Sequence, residues 1–178
     1  MIIYQTKSLI IQSLKEENKD CFIDLMTNPL IIDPGSHQET DIKKILKTFS
    51  YNIKLTDLPS KDQDNIWGVF EKSSEEMIGI AALLVNEKGD WEMGYRFVVN
   101  AWAKGYGTQV ARGMVDFFFD SLNCDKLTAD VDIKNKASVK ILEKIMVLES
   151  EFYNEVDRCV DRRYEVTRAH WMKKTLKI

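Results

Sequence analysis

The feature that most limits how this chain can fold is a change of hydrophobic period between Trp91 and Ser121. Trp91, Met93, Tyr95, Phe97 and Val99 alternate with Glu92, Gly94, Arg96 and Val98, the two-residue period of a strand with one apolar face. A strand is therefore expected over residues 91–99, with Glu92 and Arg96 together on its other face. Beyond Asn100, residues Val110, Ala111, Met114, Val115, Phe117 and Phe118 recur at helical spacing, and no proline interrupts them before Leu122. The segment Trp102-Ala103-Lys104-Gly105-Tyr106-Gly107-Thr108 thus turns a strand into a helix.

A glycine-bearing helix opening has a physical use. Its unpaired backbone N–H groups and the positive end of the helix dipole form a site for anions such as phosphate, and glycine lets a ligand approach the backbone closely. Two common nucleotide motifs do not fit. A Walker loop needs lysine and then serine or threonine after its last glycine, whereas Gly107 is followed by Thr108 and Gln109. A dinucleotide fingerprint would place a third glycine at position 110, which is Val110.

The remaining pattern supplies a scaffold. A first strand is expected over residues 7–14, then a helix from Glu16 through Phe22, Leu25 and Met26 that stops near Asn28-Pro29. After a loop, residues 41–55 place Ile42, Ile45, Leu46 and Phe49 on one helical face. Strands over 66–71, 77–86 and 91–99, separated by turns at 72–75 and 87–90, form an antiparallel meander. The strand at 126–132 follows the Gly105 helix, and strand–helix–strand order makes it parallel to 91–99. Residues 135–146 read as a second crossover helix, and strands near 148–156 and 163–171 close the sheet.

Three stretches resemble the GNAT superfamily of N-acetyltransferases. Residues 102–108 look like its acetyl-CoA pyrophosphate loop, in the W-G-K-G-Y-A/G-T form of the Rim-type branch that acetylates ribosomal-protein N-termini. Residues 135–144, with Asn135, Ser138, Leu142, Glu143 and Lys144, look like that branch's N-x-x-S-x-x-x-L-E-K signature, and residues 7–14 are similar to its opening strand. The resemblance implies an α+β (α/β mixed) class with a GNAT-like fold: a central mixed, mostly antiparallel sheet flanked by helices, with a parallel strand pair at the cofactor site. It implies a single acetyltransferase domain over residues 1–178. Two residues depart from the family pattern, Met146 where glycine usually ends the second crossover helix and Val99 where proline is usual.

The activity so implied is transfer of an acetyl group from acetyl-CoA to a primary amine, either a protein or peptide N-terminus or a small amine. In this resemblance the pyrophosphate lies on Lys104, Gly105, Tyr106, Gly107 and Thr108, and the pantetheine arm pairs with the backbone of Phe97, Val98 and Val99. Asn135 matches the asparagine that bonds the arm, though a plain helix cap reads equally from its position. Glu92 is the candidate general base, against the alternative of a solvated edge charge. Ser138 is the candidate acid for the leaving thiolate, against helix capping or packing. A GNAT-fold module that binds an acyl-CoA without catalysis is the alternative to an enzyme; it would keep the phosphate loop without needing Glu92 or Ser138.

Composition narrows the partners. Lys and Arg number 25 against 28 Asp and Glu, a net charge of -3, which gives no general attraction for nucleic acid or anionic membranes. Glu149, Glu151, Glu155, Asp157 and Asp161 lie in the segment expected to flank the acceptor cleft, where they either favour a cationic acceptor or are solvated strand and hairpin charges offset by Arg158, Arg162 and Arg163. The two histidines, His37 and His170, and the scattered Cys21, Cys124 and Cys159 show no metal spacing, so no metal is expected. No signal-peptide pattern or membrane-length apolar run occurs, so a cytoplasmic enzyme is expected, as a monomer or homodimer.

Overall fold

The computed structural model describes residues 1–32, 41–56 and 58–175. Alternating apolar residues place β1 (Ile2–Gln5), β2 (Leu9–Gln12), β3 (Asn65–Glu71), β4 (Met77–Val85), β5 (Trp91–Phe97), β6 (Lys126–Asp132), β7 (Val147–Asn154) and β8 (Cys159–Thr167) in one sheet. The spatial order is β1-β2-β3-β4-β5-β6-β8-β7. Every neighbouring pair is antiparallel except β5 with β6, which is parallel as the crossover order requires.

Helices cover both faces. α1 (Lys19–Thr27) and α2 (Ile42–Asn52) lie on one, where Phe22, Leu25, Ile45 and Phe49 pack with Leu14, Ile66, Ile80 and Ala82. On the other, α3 (Tyr106–Ser121), α4 (Lys136–Leu142) and α5 (Arg168–Thr175) cover the larger core, which gathers Trp67, Trp91, Met93, Phe118, Leu127 and Tyr164. No helix among the described residues is long and apolar enough to cross a membrane.

Several expected boundaries shift. The first strand is a hairpin of two, because Ile2–Gln5 folds back on Leu9–Gln12. Strand β5 stops at Phe97, and residues 99–101 form a 3-10 turn in place of the expected continuation to Val99. Helix α4 ends at Leu142 instead of running to Met146; residues 143–145 close it with short-range bonds, Lys144 N to Ile141 O at 3.2 Å and Ile145 N to Leu142 O at 2.9 Å. None of these residues takes a left-handed conformation, so the turn dispenses with the family's usual glycine. The last strand begins at Cys159, not Arg163, and Arg168 to Trp171 are helical. Ile42 is exposed, so α2 buries Ile45 and Phe49 without it.

Helix α3 is fixed in its middle and at its C-terminal end. The Tyr4 ring lies so close to Gly113 that an added Cβ would stand 2.4 Å from it, and the Tyr4 hydroxyl donates to Asp116 Oδ2 at 3.0 Å. Trp171 Nε1 donates to the other Asp116 oxygen at 2.9 Å. At the C-terminus, the Arg168 guanidinium donates to the carbonyls of Cys124, Phe119 and Leu122 at 3.0, 2.8 and 2.6 Å, placing a cation where the helix dipole is negative. Arg168→Ala is expected to lower the urea midpoint without changing its slope, at a cost of about 2–3 kcal/mol for charge-assisted bonds left unmade.

Candidate active site

The parallel contact between β5 and β6 is short. Only Trp91 with Leu127 and Glu92 with Thr128 pair, and beyond them the strands diverge. The parity of the backbone follows from Val98, whose N–H donates to Ile78 O of β4 at 3.0 Å. Counting back in steps of two, Arg96, Gly94 and Glu92 also turn their backbone groups to β4, so those of Tyr95 and Phe97 face the gap, with no strand opposite. On the far side, Ile133 N donates to Val160 O of β8 at 3.0 Å, which by the same count turns the backbone of Asp130 toward the gap. The Phe97 carbonyl takes the Trp102 indole N–H at 3.0 Å. Its own N–H stays on the gap.

Of the three residues expected to pair with a pantetheine arm, Phe97 is therefore the one whose backbone is suitably turned. Val98 has its N–H on Ile78 and its carbonyl on the Ala101 N–H at 3.0 Å, so it is removed from that set. Val99 already belongs to the 3-10 turn, and its carbonyl accepts from Trp102 N at 3.1 Å. Tyr95, which was not among the three, turns its backbone to the gap in the same way. The missing signal was ladder parity, which no side-chain pattern carries.

Where β5 ends, the phosphate-loop segment opens α3. Gly105 caps the helix with φ 77°, a left-handed conformation with open space around it, and Ala103 also has φ 60°. No side chain caps this end, so the first-turn amides of Tyr106, Gly107 and Thr108 are left for a ligand. Gly107 serves packing instead, since a Cβ there would stand 2.7 Å from Ile141 Cδ1 and 3.6 Å from Tyr95 Cε2. The Ile141 methyl would have to shift to admit a Cβ, so the glycine eases the approach of α3 to α4. Lys104 lies 5.9 Å from the Tyr106 ring, and the Tyr106 hydroxyl donates to Glu71 of β3.

Helix α4 starts on the same side. Asn135 Oδ1 accepts from Ser138 N at 3.1 Å, so Asn135 is the helix cap and its NH2 group is left as a donor. Ser138 faces Tyr95. The Tyr95 hydroxyl is buried without a well-formed hydrogen bond, and burial pushes it up to about 12, opposed slightly by the Ser138 hydroxyl.

Glu92 and Arg96 share the opposite face, as the alternation implied. Arg96 Nη1 donates to the Leu25 carbonyl at 3.0 Å, holding the end of α1 over that face. Glu92 sits at the closed end of the gap and is pushed up to about 7, first by burial, then by the Asp130 charge; Arg163 opposes this, and Glu87 and Asp161 add to it. Arg163 is 1% exposed and binds Asp130 at 2.8 and 2.5 Å and Glu87 at 2.8 and 3.1 Å. Two carboxylates thus hold one guanidinium, and Glu92 feels the charge of all three and of Asp161. The carboxylates are only partly the expected ones. Asp161 belongs to the cluster, but Glu149 pairs with Lys88 at 3.7 Å, Glu151 with Arg162 at 2.6 Å, and Glu155 is exposed. Asp157 accepts from Asn154 at 3.1 Å.

Among the described residues no group of histidine, cysteine and carboxylate side chains could hold a metal ion; His37 lies outside them. Cys159 donates to Asp161 at 3.3 Å, and burial, with that bond, pushes its thiol up to about 12, far from a reactive thiolate.

Comparison with known proteins follows the same lines. The profile of the acetyltransferase (GNAT) domain matches residues 8–146. The chain is 26% identical over 114 residues to an uncharacterized N-acetyltransferase, p20, of Bacillus licheniformis, covering 63% of this chain and 64% of that protein, just under two thirds of its length. The spermidine N-acetyltransferase of Vibrio cholerae, solved with CoA and spermine, has the same fold with a TM-score of 0.77 and 16% identity, covering 94% of this chain and 99% of that one. RimL, the ribosomal L7/L12 alpha-N-protein acetyltransferase solved with coenzyme A, superposes with a TM-score of 0.74 at 14% identity, covering 96% and 99% of the two chains.

A carboxyl raised by burial makes the fold less stable as it ionises. For Glu92 the penalty begins above the ordinary carboxylate range and is complete above about 7. Glu92→Gln is therefore expected to melt close to the parent near pH 4 and clearly above it at pH 8, as thermal unfolding across pH would show.

Proposed function

We propose, since the chain belongs to the GNAT acetyltransferase family, that it transfers an acetyl group from acetyl-CoA to a cationic primary amine. The observation that most supports this is Glu92, a half-buried carboxyl pushed up to about 7, at the closed end of a gap whose open end meets the free amides of α3. A primary ammonium must lose a proton before it can attack. Against an ammonium of pKa about 10, a base at about 7 leaves roughly three units to bridge, where an ordinary carboxylate leaves about six.

The other groups fall into roles around it. The amides of Tyr106, Gly107 and Thr108, with Lys104 beside them, bind the pyrophosphate. The Phe97 and Tyr95 amides, facing the gap, bind the arm and polarise the thioester carbonyl, where donors fixed in advance act most strongly. The Asn135 NH2 group holds the arm from the α4 side. Ser138, with the Tyr95 phenol next to it, donates the proton that the departing thiolate needs. The excess of carboxylates around Glu92 favours an acceptor with positive charge, a protein N-terminus or a small polyamine. Neighbours in fold include a spermidine and a ribosomal-protein acetyltransferase, both named for amine acceptors.

Thiol release from acetyl-CoA, screened against N-terminal peptides, polyamines, aminoglycosides and acidic amino acids, tests the reading. Release is expected with cationic amines, falling as pH drops below about 7. Glu92→Gln should lower turnover on the order of a hundredfold while leaving CoA affinity intact. Gly105→Val, which strains the left-handed cap, should weaken CoA about tenfold by calorimetry, equivalent to ~1.4 kcal/mol. Use of acidic acceptors alone would overturn the charge argument. CoA binding with silence on every amine would favour a non-catalytic acyl-CoA module.

A further inference from the structure

The least expected group in the molecule is a buried arginine, Arg163. It reaches three separate segments. Its Nε and Nη2 donate to Asp130 of β6, its Nη1 and Nη2 to Glu87 in the β4–β5 turn, and its guanidinium lies 5.0 Å from the Phe152 ring of β7. Asp130 stands opposite Arg163 in the β6–β8 ladder, two residues beyond Thr128, the partner of Glu92. Glu87 lies in the turn that leads into β5, so the arginine ties together the strands on either side of the closed end of the gap.

We propose that Arg163, clamped between Asp130 and Glu87, is a positioning residue for Glu92: it fixes the closed end of the gap and sets the charge against which the Glu92 carboxyl ionises. The inference rests on the reading of Glu92 as the base, and deepens it. As a source of stability the clamp has little advantage, because a buried ion pair is commonly matched by well-packed apolar side chains. As a source of charge it acts directly on Glu92. Asp130 of β6, Asp161 of β8 and Glu87 of the β4–β5 turn push the carboxyl toward its neutral form, and Arg163 of β8 pulls it back. Arg96, on Glu92's own strand, is held by the Leu25 carbonyl of α1. Without Arg163 the carboxyl would stay protonated further into the neutral range; without Asp130 burial would still hold it above the usual carboxylate range, though less far.

The test reads Glu92 itself. Carboxyl 13C signals of the glutamate-labelled protein are titrated, the Glu92 signal being assigned by its loss in Glu92→Gln. Asp130→Asn should lower the Glu92 midpoint by about one pH unit, since it removes a nearby like charge. Glu87→Gln, at a side chain 65% exposed, should lower it less. Arg163→Met should raise it, and Arg163→Lys should leave it near the parent. An arginine that only holds strands together would change melting temperatures and leave every midpoint in place. Unmoved midpoints in folded Asp130→Asn and Glu87→Gln proteins would overturn the inference even if Arg163→Met failed to fold. The pH profile of thiol release, measured on the same variants, separates the two claims. If its acid limb follows the midpoints, both stand. If the midpoints move and the limb does not, the clamp stands and the assignment of Glu92 as base falls.

Discussion

Two residue pairs, Trp91 with Leu127 and Glu92 with Thr128, are all that join the two halves of the sheet through its parallel contact. A longer ladder would satisfy every backbone group on both strands and leave no room for a ligand. The short one leaves the Tyr95 and Phe97 amides on one side and the Asp130 backbone on the other. A backbone group without a partner is costly when buried, so such an edge persists only where solvent or a ligand completes it. The rest of the fold keeps the gap in place. Gly107 packs against Ile141 of α4, Arg168 and Asp116 anchor α3 further along, and Asn135 starts α4 beside it.

Charge is distributed unevenly about the gap. On the side of α3 and α4 the groups are amides, a lysine and hydroxyls, suited to phosphate and to a leaving thiolate. On the side of α1, Glu92 lies among Glu87, Asp130 and Asp161, with Arg163 clamped against two of them and Arg96 held by the Leu25 carbonyl. On the proposed reading, a reagent bearing phosphates and one bearing an amine approach from opposite faces and meet where the strands part. Glu92 stands at that point because strand alternation puts it on the carboxylate side, and the ladder to Thr128 puts it at the closed end.

Much of this was legible in the sequence, for identifiable reasons. The alternation through β5 and the helical period of α3 are local patterns set by burial on one face, so the strand, the turn and the placement of Glu92 and Arg96 could be read directly. The glycines were visible too, but the difference between them was not. Gly105 serves a backbone angle and Gly107 a packing distance to Ile141, and only the three-dimensional arrangement tells them apart. Val98 could not be ruled out from its side chain, since ladder parity depends on which neighbour β5 pairs with. The Arg163 cluster was hidden for a similar reason. Glu87, Glu92, Asp130 and Arg163 come from distant segments, and a pair of adjacent arginines in a charged hairpin reads as surface until one of them is found buried.

The central claim is that the gap between β5 and β6, with the first turn of α3, is where CoA lies. Amide hydrogen exchange of the protein with and without CoA tests it most directly, because it reports on the backbone groups themselves. The expected result is slowed exchange at Tyr95 and Phe97 of β5 and at Tyr106, Gly107 and Thr108 of α3, with no comparable change at Val98, whose N–H is already bonded to Ile78. Saturating CoA that leaves the Tyr95, Phe97 and α3 amides exchanging as before, while protecting a surface elsewhere, would contradict it.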